Sequence, residues 1–116
     1  MDKEAFFKHK KTMGKVFIGD VTPEQIEQFK AQHKVVHKLK GESGVYAIVR
    51  RPTMKEIEYG QAMLAQNKFI SYNKHLFDSC LLALSEDIRD DEYKVNAFAS
   101  QMMLVVETER VEVEKL

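Results

Sequence analysis

From Phe69 to Leu84 the apolar residues Phe69, Tyr72, Leu76, Phe77, Cys80, Leu81 and Leu84 recur at steps of three and four. That is the spacing of one helical face, and it predicts a helix across 69–84. Upstream, Thr53-Met54-Lys55-Glu56 has the form of a capping box. It predicts a helix with Met54, Ile57 and Leu64 on its inner side, broken at Gln66-Asn67. Downstream, Ser85 to Asp91 reads as an acidic loop able to cap a last helix. In that helix Tyr93, Ala97, Phe98, Met102 and Val105 share a face. Val111-Glu112-Val113-Glu114 alternates as a strand would, but its place after a long helix suggests a frayed continuation.

The first half has a different rhythm. A helix is expected over residues 2–12, with Asp2 near its positive end, Phe6 and Phe7 as its apolar contribution, and Gly14 as its stop. Lys15-Val16-Phe17-Ile18 reads as a short strand. Thr22-Pro23-Glu24-Gln25 then combines a capping threonine, a proline suited to the first helical position and a glutamine able to reach back to the cap amide. The helix it opens puts Ile26 and Phe29 on one side and fades near His33. Val35–Lys40 and Val45–Val49 flank the turn residues Gly41-Glu42-Ser43-Gly44, and Pro52 follows, so a β-hairpin is expected there. The predicted class is α+β: a small antiparallel sheet with an inserted helix, then a three-helix C-terminal half. At 116 residues the chain is expected to form a single domain over 1–116.

Charge divides the chain. Residues 1–51 carry eleven Lys and Arg against six Asp and Glu, and residues 52–116 carry seven against twelve. A basic α/β part (1–52) therefore precedes an acidic helical part (53–116), a polarity that can steer a partner or favour head-to-tail self-association. A 44% share of hydrophobic residues with 31% charged is the balance of a globular chain, not a disordered one. A lone cysteine, Cys80, excludes an intrachain disulfide and fits a reducing compartment. Met1-Asp2-Lys3-Glu4 does not begin a signal peptide, and no apolar run approaches a membrane span, so a cytoplasmic protein is expected.

Candidate chemistry is sparse. His33 and His37 stand four apart, but no acidic or thiol ligand lies beside them, so no metal is expected and the histidines, His9 and His75 included, read as solvent-facing. Cys80 sits within the apolar stripe, where burial raises a thiol pKa and argues for a core role over nucleophilic attack. Asp78 is placed away from that stripe. The acidic cluster Glu86, Asp87, Asp90, Asp91, Glu92 lacks the glycine of a calcium loop. No phosphate-cradling loop, nucleophile elbow or zinc-protease motif occurs, so neither an enzyme nor a cofactor is expected. The basic half offers an alternative, a small nucleic-acid-binding or regulatory module using Lys34, Lys38, Lys40, Arg50 and Arg51.

Several short stretches carry a resemblance. They are Lys15-Val16-Phe17-Ile18-Gly19, Val21-Thr22-Pro23-Glu24-Gln25-Ile26, Phe29-Lys30-Ala31 with His33, Val45-Tyr46, Arg50-Arg51-Pro52, Leu76-Phe77-Asp78-Ser79-Cys80, Gln101 and Glu114-Lys115-Leu116. In this order they resemble the small tail assembly chaperone-like proteins of tailed bacteriophages and prophages of the Bacteroidales type. Where related proteins often have a tryptophan and paired glycines after the cysteine, this chain has Leu81, Ala83 and Leu84, which suggests that the helix continues. The resemblance implies a non-enzymatic helper, acting in the bacterial host cell, that coats the helical tape-measure protein before the tail tube closes. A second alternative is another phage structural or accessory protein. Apolar helical grooves accept guest helices, and flexible methionines suit varied guests. The expected partner-binding residues are Leu81, Leu84, Phe98, Met102 and Met103, with homo-oligomerisation possible through the oppositely charged halves.

Overall fold

The computed structural model describes residues 16–106 and 111–116. The helix expected over 2–12 lies outside the described residues. The chain runs β1 (Phe17–Ile18), α1 (Pro23–His33), β2 (Val36–Lys40), β3 (Tyr46–Arg50), α2 (Met54–Ala65), α3 (Phe69–Cys80), β4 (Leu81–Leu84), α4 (Glu86–Arg89), α5 (Glu92–Ala99) and α6 (Met102–Val106). This is an α+β fold.

Both capping boxes form. Gln25 N donates to Thr22 Oγ1 while Thr22 N donates to Gln25 Oε1, at 3.2 and 2.8 Å. Glu56 N and Thr53 N make the same exchange at 3.1 and 2.9 Å. These bonds satisfy amides that a helix start otherwise leaves without partners. The hairpin forms too, with Val36 opposite Arg50 and Lys40 opposite Tyr46. Its turn needs Gly44 at a positive φ of 78°.

The sheet differs from the expected one. It has four strands in the order β1-β4-β3-β2, antiparallel except that β1 and β4 run parallel. The fourth strand is Leu81–Leu84, the stretch read from the sequence as the last turn of a helix. Helix α3 stops at Cys80, and Leu81 enters extended backbone at φ −67°, ψ 128° with no loop between. The reason is burial on every side. Leu81, Leu82, Ala83 and Leu84 are all buried, and a one-faced amphipathic helix cannot bury four consecutive residues, whereas a central strand can.

A bulge adjusts the register. Ala47 pairs with Leu84, Ile48 with Ala83 and Val49 with Leu81, leaving Leu82 as the extra residue. Leu82 and Ala83 therefore share one face, with Phe29 and Ile48, under α1. Leu81 and Leu84 share the other, with Leu76, Phe77, Cys80, Phe98, Met102 and Val105 of the C-terminal helices. The sheet is thus the middle of three layers, and one of its two inner strands, β4, comes from the acidic half.

The last predicted helix is interrupted at Ser100-Gln101. Ser100 Oγ donates to Ala97 O at 2.7 Å, a local bond of the kind that bends helices. Helices α2 and α3 approach closely at Gly60, where an added Cβ would lie 2.7 Å from the Tyr72 ring.

Candidate partner-binding surface

Four of the five residues expected to bind a partner belong to the core. Leu81, Leu84, Phe98 and Met102 are all under 10% exposed, because β4 and the C-terminal helices close on one another. Met103 alone is accessible, at 57%. Other residues assigned inward from the spacing point out: Met54, Phe69 and Tyr93 are exposed. Each occupies the first turn of its helix, where the apolar stripe runs past the body it packs against.

These outward residues assemble a surface that the spacing did not show. Phe69 and Met103, with Leu64, Tyr72, Asn73 and Val106, line an apolar groove of ≈ 270 Å³ between α6 and the α2–α3 pair. Beside it Ile70 and Tyr93 line a second concavity with Lys74, Glu92, Val95 and Asn96. Phe69 and Ile70, consecutive at the start of α3, each line one of the two depressions. Exposed apolar side chains gathered in this way mark interaction sites more often than scattered ones do. The available signal in the sequence was the excess of apolar residues over what one stripe needs.

Of the five basic residues expected to form a surface, Lys34, Lys38, Lys40 and Arg51 are exposed and Arg50 is half-buried. Arg50 faces inward at the junction of β3, α2 and α3. Its Nη1 donates to Glu56 Oε1 at 2.8 Å and its Nη2 to Glu56 Oε2 at 2.7 Å, a bidentate pair. Nη2 also donates to the carbonyl oxygen of Ser79 at 2.7 Å, where α3 gives way to β4. Arg50 thus occupies a carbonyl at a helix end that has no following turn to satisfy it. Lys38 Nζ sits 4.6 Å above the Tyr46 ring.

The Arg50 guanidinium holds the Glu56 carboxyl down at about 2, well below its ordinary value. Cys80 lies beside this pair, with Arg50 Nη1 3.7 Å from its Sγ. Burial dominates there and pushes the thiol up to about 12. A thiolate is the reactive form, so Cys80 is unsuited to nucleophilic chemistry at neutral pH. Alkylation by iodoacetamide at pH 8 is therefore expected to be negligible in the folded protein and complete in denaturant. Rapid labelling under native conditions would show that the thiol is not buried.

His33, His37 and His75 are less solvent-facing than expected, since all three are half-buried, and His9 lies outside the described residues. His75 Nε2 is 3.0 Å from the Glu56 carbonyl oxygen, and its ring packs 5.1 Å from that of Tyr59. Partial burial, then the charge of Arg50, lowers the pKa of His33. Among the described residues no three His, Cys, Asp or Glu side chains gather as a metal site would require. Asp78 faces away from the core and accepts from Lys74 Nζ at 2.8 Å. Asp91 caps α5 by accepting from the amides of Tyr93 and Lys94. Among the described residues no helix is long and apolar enough to cross a membrane. No protein-family model, curated protein or solved structure matches the chain.

Proposed function

We propose that this chain is a binding protein that offers an apolar helical surface to a helical guest, and that it performs no covalent chemistry. Within that class the reading supported best is a phage tail assembly chaperone-like protein whose guest is a tape-measure protein. The observation that carries the proposal is the groove between α6 and the α2–α3 pair, where Phe69 and Met103 remain exposed although a large core has already formed. A guest helix seats apolar anchors at i, i+3, i+4 and i+7 into such a groove. Methionine at its wall can adjust to different guests. The short motifs shared with tail assembly chaperone-like proteins support the choice of guest. The inward commitment of Arg50 to Glu56 and Ser79 weakens the alternative of a nucleic-acid surface built on it.

The test is a binding titration with helical peptides from the tape-measure protein of the same genome. Met103→Glu should reduce binding by roughly tenfold or more, since it puts a charge into an apolar contact while leaving the core untouched. Circular dichroism should show an unchanged fold. Unaltered binding by Met103→Glu and by Phe69→Glu would remove the groove from the interface.

A further inference from the structure

Strand β2 lies at the end of the β1-β4-β3-β2 sheet, and among the described residues no strand pairs with its outer edge. Alternate residues of its five, Val36–Lys40, pair with β3, and the others turn their backbone donors and acceptors to that edge. Its side chains divide cleanly. Val36 belongs with the α1 side of the sheet, and Lys38 shares that side, stacking over Tyr46. Lys40, two residues on, lies on that same side. Leu39 points to the other side, where it packs against the core of the C-terminal helices. There a groove of ≈ 370 Å³ runs between β2 and the end of the helical layer, lined by Leu39, Phe98, Gln101 and Leu104 and, along the strand itself, by Lys38 and Lys40.

Among the described residues, one segment has a pattern that matches this edge. Val111-Glu112-Val113-Glu114 alternates β-branched and acidic residues, yet in the structure it forms no helix or strand. Val111 and Val113 are 83% and 96% exposed, so the segment lies clear of its own body. We infer that residues 111–114 of a second copy of this chain add as a fifth strand to the free edge of β2. Glu112 and Glu114 repeat at the same two-residue interval as Lys38 and Lys40, so in either strand direction the four charges fall on one face as two opposite pairs. Val111 and Val113 then face the other side, over Leu39 and the groove that ends at Leu104. Lysines on an edge ordinarily deter strand addition, and an acidic strand of matching interval turns that deterrent into selection. The acidic half of one copy thereby meets the basic half of the next.

The experiment is sedimentation velocity on the full-length chain over a range of concentration. Wild type should self-associate. Lys38→Glu/Lys40→Glu and, separately, Glu112→Lys/Glu114→Lys should each weaken association by roughly tenfold or more, as two attractive cross-strand pairs become repulsive. An equimolar mixture of the two variants should recover it. Should Lys38→Glu disturb the Tyr46 stack, Lys40→Glu mixed with Glu114→Lys repeats the test without it. A proline at position 112 or at position 113 removes one backbone donor each, and at least one of Glu112→Pro and Val113→Pro should dissociate the assembly with all four charges of the edge or all lysines kept. Met103→Glu, on a different groove, should leave self-association unchanged, which separates this inference from guest binding. A monomeric wild type, full association by either charge variant, or a mixture of folded variants that stays monomeric would each overturn it.

Discussion

Met102→Glu is expected to unfold the chain or bring it close to unfolding, whereas Met103→Glu one position on should be tolerated. Met102 is completely buried in the larger core, which also contains Leu76, Phe77, Phe98 and Val105. An ionised carboxylate left there without a partner costs several kcal/mol, about 3–5 in measured cases of unpaired buried charge. A domain of this size has about 5–15 kcal/mol in total. Thermal or urea unfolding followed by circular dichroism would register the loss. A Met102→Glu protein as stable as wild type would mean that α6 does not pack on α3 as described.

The second large effect is expected at Arg50. Arg50→Ala removes both hydrogen bonds to Glu56 and the donor to Ser79 O, and so loosens the joint at which β3, α2 and α3 meet. Arg50 and Glu56 retain 21% and 24% side-chain exposure, so water partly compensates. A loss of about 2–3 kcal/mol is expected, below the figure for a fully buried pair. The same contact predicts an acid dependence. Glu56 has a folded-state pKa of about 2, depressed from the ordinary 4.5. A depressed carboxyl contributes stability that is complete above its unfolded value and is lost as pH falls through its folded value. Wild type should therefore weaken between pH 4.5 and 2, by about 2 kcal/mol from this group after allowance for screening. Urea midpoints across that window should fall more steeply for wild type than for Glu56→Gln. Parallel slopes would show that the Arg50–Glu56 pair contributes nothing to folding.

The joint at Arg50 also marks where reading the sequence succeeded and where it failed. The Thr22 and Thr53 caps, the hairpin around Gly44 and the stops near His33 and Gln66 all depend on groups within a few residues of one another. Local chemistry of that kind is present in the sequence and was legible there. Leu81–Leu84 was not. Four successive apolar residues suit the end of a buried helix or a central strand equally well, and periodicity cannot separate the two. The binding surface read from the sequence follows from that helix, since it takes Leu81 and Leu84 as one helix face and Phe98 and Met102 as part of a neighbouring one. With the strand in place all four are interior, and Phe69, Ile70, Tyr93, Met103 and Leu104 are among the apolar residues that stay accessible.

Helix starts, turns, the α+β class and the separation of basic from acidic halves were thus determined by the chain's own order of residues. Which apolar residues stay in water was decided only in three dimensions. Leu81–Leu84 finds its partners in β1, 66 residues away in sequence (Phe17 to Ala83), and in β3, 32 to 37 away (Val49 to Leu81, Ala47 to Leu84), and gains there the burial on both faces that a helix could not supply. Once that strand fills the middle of the sheet, the helices that close over it have more greasy surface than the core can take up, and the remainder faces outward.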